Sequence, residues 1–167
     1  MYAIEGTESQ SQLASETFMK NAIKWSVAEG ENKLGDPSLH FAFAERYLSL
    51  EEYGKAQKHY LRSGNPVRFA SVLSSWSKTA YPSEADLFIA RAVLQYLCFG
   101  NLKDANTVYQ SYLQLSPNLP QSPLINYLKF LLLTLERDAY PLFEVLRKKY
   151  KISIERDPSF QQVKIKY

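Results

Sequence analysis

The sequence predicts an all-α protein, an α-solenoid of antiparallel, tetratricopeptide-like helix pairs with about eight helices. Three observations favour this fold class: helix start signals recur along the chain, strand signals are weak, and one pattern of tyrosine and alanine occurs twice. No segment alternates apolar and polar residues for long, and the sequence contains no Asn-Gly or Asp-Gly hairpin turn.

Residue pairs that are typical of a helix start recur along the chain. Each pair places a capping residue directly before a proline at the first helical position, where the missing N–H costs nothing. The pairs are Asp36-Pro37, Asn65-Pro66, Ser122-Pro123 and Asp157-Pro158. Helices are therefore predicted to begin at these points, and short connections between them favour antiparallel neighbours.

The remaining helices are predicted from weaker signals. Ser15 can cap a first helix that ends near Gly30. Ser83 with Asp86 approximates a capping box for a helix that stops at Gly100. Between these starts, further helices are predicted at roughly 51–63, 101–115 and 138–150.

A pattern of two tyrosines and one alanine, Tyr-x8-Ala-x3-Tyr, occurs twice. Its residues are Tyr47, Ala56 and Tyr60 in the first copy and Tyr96, Ala105 and Tyr109 in the second, 49 positions further on. This is the interior spacing of a tetratricopeptide-like hairpin, in which a large residue on one helix faces a small residue on the next. Alanine at the crossing lets two backbones approach, so the repeat predicts stacked helix pairs.

Length and composition predict one folded domain. The chain has 167 residues, of which 46% are hydrophobic and 14% aromatic, and its formal net charge is +3. These values are those of an ordinary globular protein, and the charge is too small to indicate a polyanion partner. We expect a flexible tail at 1–14, an α-solenoid domain at 15–160 and a divergent end at 161–167.

The sequence favours a cytosolic location. Its single cysteine, Cys98, cannot form a disulfide within the chain and lies in an apolar run, as a small core residue would. The N-terminus lacks the charged start and apolar block of a signal peptide. The most apolar window, 124–135, is too short to span a bilayer, so no direct membrane insertion is expected.

No group of residues in the sequence indicates catalysis, a metal site or a cofactor site. His40 and His59 lie on separate predicted helices, and neither is in an i, i+4 pair with a second metal ligand. The sequence contains no glycine-rich phosphate loop, no GxSxG motif and no paired-cysteine motif. We therefore expect a non-enzymatic protein that uses no metal and no cofactor.

A basic cluster near the C-terminus leaves one alternative function open. Arg147, Lys148, Lys149 and Lys151 interleave with Tyr150, and cations beside an aromatic ring can bind an RNA backbone and stack a base. The simpler interpretation is that cations in the last turn of a helix complement its dipole. We expect no nucleic-acid partner, and a helical-repeat RNA-binding protein that uses 147–151 is the alternative.

Several segments resemble, in their order and spacing, those of one known family. They are Lys24-Trp25-Ser26, Lys33-Leu34-Gly35-Asp36-Pro37, Asp86-Leu87-Phe88-Ile89-Ala90-Arg91-Ala92-Val93-Leu94-Gln95-Tyr96-Leu97, Phe130-Leu131-Leu132-Leu133 and Arg156-Asp157-Pro158. Over roughly residues 17–160 the chain resembles the C-terminal half of the Golgi-to-ER traffic protein four family. Members of that family are cytosolic α-solenoid scaffolds of tail-anchored protein delivery.

The resemblance implies a scaffold that works with two kinds of partner. In the family, the C-terminal half holds a ubiquitin-like protein or a chaperone with a ubiquitin-like domain, and the N-terminal half contacts a targeting ATPase. The chain begins where the family's second half begins, so the resemblance implies that the ATPase contact is lost. Phe18, Ile23 and Trp25 would then lie exposed, and we expect the isolated chain to self-associate.

Partner binding is expected on the helices predicted at 123–136 and 138–150. Aromatic and leucine anchors between antiparallel helices, with Lys and Arg at the rim, commonly hold a protein partner. The residues predicted to bind it are Tyr127, Phe130, Phe143, Leu146 and Tyr150. Ordinary core packing is the alternative role for each of these side chains.

Overall fold

The computed structural model describes residues 2–165, with side chains from residue 9 onward, and no strand occurs among them. The all-α prediction is confirmed, and the fold class is that of an α-solenoid. In chain order the α-helices of the described residues are α1 (Tyr2–Glu29), α2 (Pro37–Ser49), α3 (Tyr53–Tyr60), α4 (Pro66–Ser77), α5 (Ala85–Cys98), α6 (Leu102–Leu115), α7 (Pro123–Glu136), α8 (Tyr140–Lys149), α9 (Lys151–Ile154) and α10 (Pro158–Gln161). No helix within the described residues is long and apolar enough to cross a membrane.

The chain divides into two compact units. The first, Met1–Gly64, contains α1 to α3, and the second, Asn65–Tyr167, contains α4 to α10. The sequence did not predict this division within the expected domain at 15–160. Residues of the expected tail at 1–14 belong to α1 from Tyr2 onward, whereas the flexibility of that tail and the divergent end at 161–167 stay predictions.

The four proline-started helices begin where the sequence predicted. In each case the side chain before the proline accepts a hydrogen bond from a backbone N–H of the first helical turn, which has no partner within the helix. The donors are the N–H groups of Ser38 and Leu39 for Asp36, Arg68 for Asn65, Ile125 for Ser122 and Ser159 for Asp157. Local sequence therefore determines these boundaries.

The predicted capping box of Ser83 and Asp86 is wrong. A 3₁₀ helix at Pro82–Glu84 precedes α5, and Glu84, at the N-cap position, makes no capping side-chain bond. The Asp86 carboxylate is buried and instead accepts a hydrogen bond from Arg156 Nη1 at 2.7 Å. Arg156 Nη2 also donates to the other Asp86 oxygen, at 3.1 Å, so both oxygens accept from the guanidinium of a distant residue.

The repeated Tyr-x8-Ala-x3-Tyr pattern corresponds to two helical hairpins, α2–α3 and α5–α6. All six side chains of the pattern are buried, and both alanines are fully inaccessible to solvent. The turns share one backbone geometry, since the N–H of Glu52 donates to the Tyr47 carbonyl and that of Asn101 to the Tyr96 carbonyl, both at 3.0 Å. The repeated sequence pattern therefore corresponds to a repeated turn and a repeated helix crossing.

A third hairpin, α7–α8, uses the same turn without the sequence pattern. The Ala139 N–H donates to the Thr134 carbonyl at 3.0 Å, and Asp138 has a φ of 50°. The matching positions of the other two hairpins are Glu51 at 58° and Gly100 at 73°. In the second unit α5 packs on α6 and α7, and α7 packs on α8, so this turn recurs within one stack of helices.

Candidate partner-binding surface

The five residues predicted to bind a partner fall into three groups by their burial. Tyr127 and Phe143 are buried, and Leu146 and Tyr150 are partly buried. Only Phe130 is exposed, with 44% of its surface accessible. The partner-binding role of all five stays a prediction. Of the five, Phe130 is the side chain exposed enough to contact a partner directly, and the others would support the surface from beneath.

One aromatic contact joins α7 to the junction between α8 and α9, and a second lies within α8. The Tyr127 ring lies 5.7 Å from that of Tyr150, centroid to centroid. On α8, the Phe143 ring contacts Tyr140 at 6.3 Å, and the Arg147 guanidinium lies 5.8 Å from the centre of the Phe143 ring. The contact between Tyr127 and Tyr150 therefore joins α7 to the end of α8, whereas the contacts of Phe143 order side chains within α8.

The exposed apolar side chains near this cluster were missed by the sequence analysis. They are Leu133 on α7, Tyr140, Leu142 and Val145 on α8, and Ile152 on α9, the last with 85% of its surface accessible. Leu142 and Val145 are three residues apart and therefore share one side of α8. The i, i+3 spacing was visible in the sequence, but the buried side of α8 was not.

A groove opens beside the turns of the two hairpins in the second unit. Its volume is about 360 Å³, and its lining includes the turn residues Gly100 and Asp138 together with Leu97, Leu102, Thr134, Leu135, Tyr140 and Phe143. Most of these side chains are apolar, and Thr134 and Asp138 supply polar groups. Such a groove can accept one large apolar side chain from a partner.

The basic cluster lies at the C-terminal end of α8. Arg147, Lys148 and Lys149 occupy its last turn and are exposed, and Lys151 follows in α9. Two of the cations have a nearby carboxylate: Arg147 lies 3.9 Å from Glu144, and Lys151 lies 3.7 Å from Glu155. Lys148 and Lys149 form no ion pair with a carboxylate of the described residues.

Two ion pairs attach the segment after α9 to α5. Arg156 Nη1 lies 2.7 Å from Asp86 Oδ2, and Arg91 Nε lies 2.7 Å from Asp157 Oδ2. Burial raises the pKa of Asp157, but hydrogen bonds from Ser159 and Arg91 outweigh it and hold that pKa below its usual value. Arg156 and Asp157 are therefore structural residues and add little net charge to the basic cluster.

In the first unit, the exposure predicted for the first helix is confirmed at two positions. Phe18 and Trp25 have 70% and 66% of their surfaces accessible, whereas Ile23 is partly buried. The two aromatic residues are seven positions apart and share one side of α1. Self-association of the isolated chain stays a prediction.

The first unit also brings together two histidines that the sequence analysis treated as separate. Nδ1 of His40 lies 2.9 Å from Nδ1 of His59, and Nε2 of His40 lies 2.8 Å from the Leu34 carbonyl oxygen. A carbonyl only accepts, so Nε2 of His40 donates to it, and His59 Nδ1 donates to His40 Nδ1. Burial and the neighbouring His40 lower the pKa of His59 to about 4, so both rings are neutral at pH 7.

The family model and the curated relatives that match this chain all belong to one family. The family model described as Golgi to ER traffic protein 4 matches residues 3–166. Protein GET4 of Arabidopsis thaliana is 42% identical over 159 residues, which are 90% of this chain and 49% of that protein. The Golgi to ER traffic protein 4 homolog of Homo sapiens is 35% identical over 152 residues, which cover 87% of this chain and 46% of the homolog.

A solved structure agrees with these matches. The crystal structure of C. therm. Get4 is similar with a TM-score of 0.77 and 29% identity, and the similarity covers 84% of this chain and 51% of that one. The chain spans about half the length of the curated relatives it matches. The resemblance found in the sequence is thus confirmed, and the chain belongs to the Golgi to ER traffic protein 4 family.

Proposed function

We propose that this protein is a non-enzymatic scaffold in the post-translational delivery of tail-anchored membrane proteins to the endoplasmic reticulum. It acts in the cytosol and binds a ubiquitin-like protein, or a chaperone with a ubiquitin-like domain, through its C-terminal helices. Family membership supports the pathway. The observation that supports the binding surface is the set of exposed apolar side chains on α7 and α8 beside an apolar groove.

The surface can act as a preorganised docking site. The Tyr127 ring packs against that of Tyr150 and so connects α7 to the end of α8, while the buried Phe143 ring packs against Tyr140 within α8. Phe130 and Leu133, exposed on α7, then offer anchors whose positions are already fixed before a partner arrives. Preorganisation lowers the entropic cost of binding, so a small surface can support a stable complex.

The test is a binding measurement with the full chain and a ubiquitin-like protein from the same organism. Phe130→Ala is expected to weaken binding about tenfold, because an exposed aromatic anchor contributes on the order of 1–2 kcal/mol to a protein interface. Leu115→Ala is the matched control, since Leu115 is an exposed apolar residue on α6 of the same unit. Equal affinity for the two variants would contradict the proposed surface.

A further inference from the structure

The basic cluster and the exposed apolar residues of α8 form one continuous surface. Val145 lies one helical turn after Leu142, and Lys148 and Lys149 lie one turn after Val145. All four side chains are exposed. We call these four residues the α8 face, which is apolar in the first two turns of the helix and cationic in the last. The exposed carboxylate of Glu144 lies beside this face, one turn before Lys148.

From this arrangement we infer that the α8 face docks an acidic amphipathic helix of the partner protein. This inference rests on the proposed function, because it specifies the chemistry of the partner that binds there. Leu142 and Val145 would contact the apolar side of the incoming helix, and Lys148 and Lys149 would pair with its carboxylates. Helix-to-helix docking fits because ridges of side chains one turn apart pack into the grooves of a second helix.

The charge of the α8 face is available to a partner. Lys149 Nζ lies 5.7 Å from the centre of the Tyr150 ring, and neither Lys148 nor Lys149 pairs with a carboxylate of the described residues. One cation at a helix C-terminus is enough to complement the dipole, but this turn contains three. The excess positive charge favours an acidic partner segment.

The same surface is poorly suited to RNA. Proteins that bind single-stranded RNA combine cations that contact the phosphates with exposed aromatic rings on which the bases stack. Tyr150, the ring within this cluster, is partly buried and packs against Tyr127. The side chains that are exposed beside the cations, Leu142 and Val145, are aliphatic and offer no stacking surface.

The groove next to the cations extends the docking surface. It has a volume of about 430 Å³ and is lined by Arg147, Lys148, Lys151, Ile154 and Gln161, with Glu144 and Glu155 also present. The three cations outnumber the two carboxylates, so the groove keeps a positive character. An acidic helix seated on the α8 face would extend its last turn towards this groove.

The test measures peptide binding to the full chain and its variants. The probe is a synthetic helix of about 18 residues with leucines on one side and glutamates on the other. Three comparison ligands are the same helix with lysine in place of glutamate, a scrambled acidic peptide, and a single-stranded RNA of about 20 nucleotides. The variants are K148E/K149E for charge and L142S/V145S for the apolar part.

Matched controls separate the α8 face from general effects. K78E/K103E makes the same change in charge at two exposed lysines elsewhere in the second unit, and L115S removes an exposed leucine from α6. Circular dichroism and thermal unfolding check that every variant keeps its helices. We expect each α8 variant to weaken binding of the acidic helix at least tenfold and both controls to leave it unchanged.

A charge swap makes the test independent of folding defects. The lysine-substituted helix is expected to bind the K148E/K149E chain more tightly than it binds the original chain. Three results would overturn the inference: equal binding of the scrambled acidic peptide, tighter binding of RNA with a steep loss between 50 and 200 mM salt, or no effect of either α8 variant.

The inference and the proposed function fail in different ways. If the ubiquitin-like protein binds the original and the K148E/K149E chains equally, the α8 face is not its docking site, and the proposed function stands. If the ubiquitin-like protein binds neither chain, the proposed function fails, and the peptide measurements still decide what the α8 face recognises.

Discussion

The hairpins α2–α3 and α5–α6 share a turn and a helix crossing, yet they differ in the polar groups that surround that crossing. At positions 49 residues apart, the first hairpin has His40 and His59 where the second has Ile89 and Val108. Ile89 and Val108 are fully buried, and the two histidines form a hydrogen-bonded pair. The same backbone unit therefore accepts either a dry aliphatic contact or a polar pair in its interior.

The tyrosines of the pattern also differ in the hydrogen bonds that their hydroxyls make. The Tyr60 hydroxyl donates to Glu45 Oε1 at 2.7 Å, whereas that of its counterpart Tyr109 donates to the Ile125 carbonyl oxygen at 3.4 Å. The hydroxyl of Tyr96, the first tyrosine of the second copy, is buried without a partner among the described residues. Burial raises the pKa of Tyr96, as expected for a phenol removed from water. What repeats is the packing geometry, and each hairpin satisfies its polar groups separately.

The largest expected effect tests whether the two helix crossings are equivalent. Ala56→Leu and Ala105→Leu should each destabilise the chain by about 2–3 kcal/mol, because each adds a branched side chain where two backbones approach. Both alanines are fully buried. Urea unfolding, with hydrogen exchange to report on each hairpin, measures the loss. A cost at only one of the two sites would break the equivalence.

Acid should destabilise the first hairpin selectively. The pKa of His59 is about 4 in the folded chain, whereas an unfolded histidine has a pKa of about 6.5, so stability is full above pH 6.5 and falls as the pH drops towards 4. Allowing for partial exposure, the expected loss is about 2 kcal/mol. Asp36, Lys58 and Arg62 also carry charge near the pair.

The measurement for this prediction is the free energy of unfolding between pH 7 and pH 4, compared with that of the double variant H40I/H59V. This variant places the aliphatic pair of the second hairpin into the first, and the fall in stability between pH 6.5 and 4 should become smaller. A pH dependence that is identical in both chains would assign the effect to other groups.

Removing the hydroxyl of Tyr60 and removing that of Tyr96 should change the stability of the protein in opposite directions. Tyr60→Phe loses a hydrogen bond to a carboxylate and should cost about 1.5 kcal/mol, whereas Tyr96→Phe removes a buried hydroxyl without a described partner and should be neutral or stabilising by up to about 1 kcal/mol. Thermal unfolding of the two variants gives the comparison. Equal costs would mean that the Tyr96 hydroxyl has a partner in solution.

The smallest expected effect concerns the shared turn. Glu51 and Gly100 both have positive φ, a region that strains every residue except glycine. Gly100→Ala should therefore lower the free energy of unfolding by about 1 kcal/mol. Glu51→Gly should change it by less, because the relief of backbone strain is offset by the greater flexibility of glycine in the unfolded chain. Denaturant midpoints measured for both variants check the direction of each change.

Most of the helical framework could be predicted because its signals are local. A capping residue before a proline accepts hydrogen bonds from N–H groups within one turn. The helix starts at Asp36 and Asn65 could therefore be predicted without knowledge of the rest of the fold. The Tyr-Ala-Tyr spacing is likewise local, since it spans one hairpin. Both helices of the third hairpin were predicted, but its shared turn was not, because Asp138 has the same positive φ without the tyrosine pattern.

The amino-acid sequence was sufficient to predict the four proline-marked helix starts, the repeated crossing and the family. Tertiary structure alone decided which charged groups meet and which aromatic residues remain exposed. Asp86 forms an ion pair with Arg156, which lies 70 positions further along the chain. Tyr127 is buried, whereas Phe130, three residues later on the same helix, is exposed. The physical reason is that capping acts within one turn of backbone, whereas ion pairing and burial depend on which distant helices pack against each side.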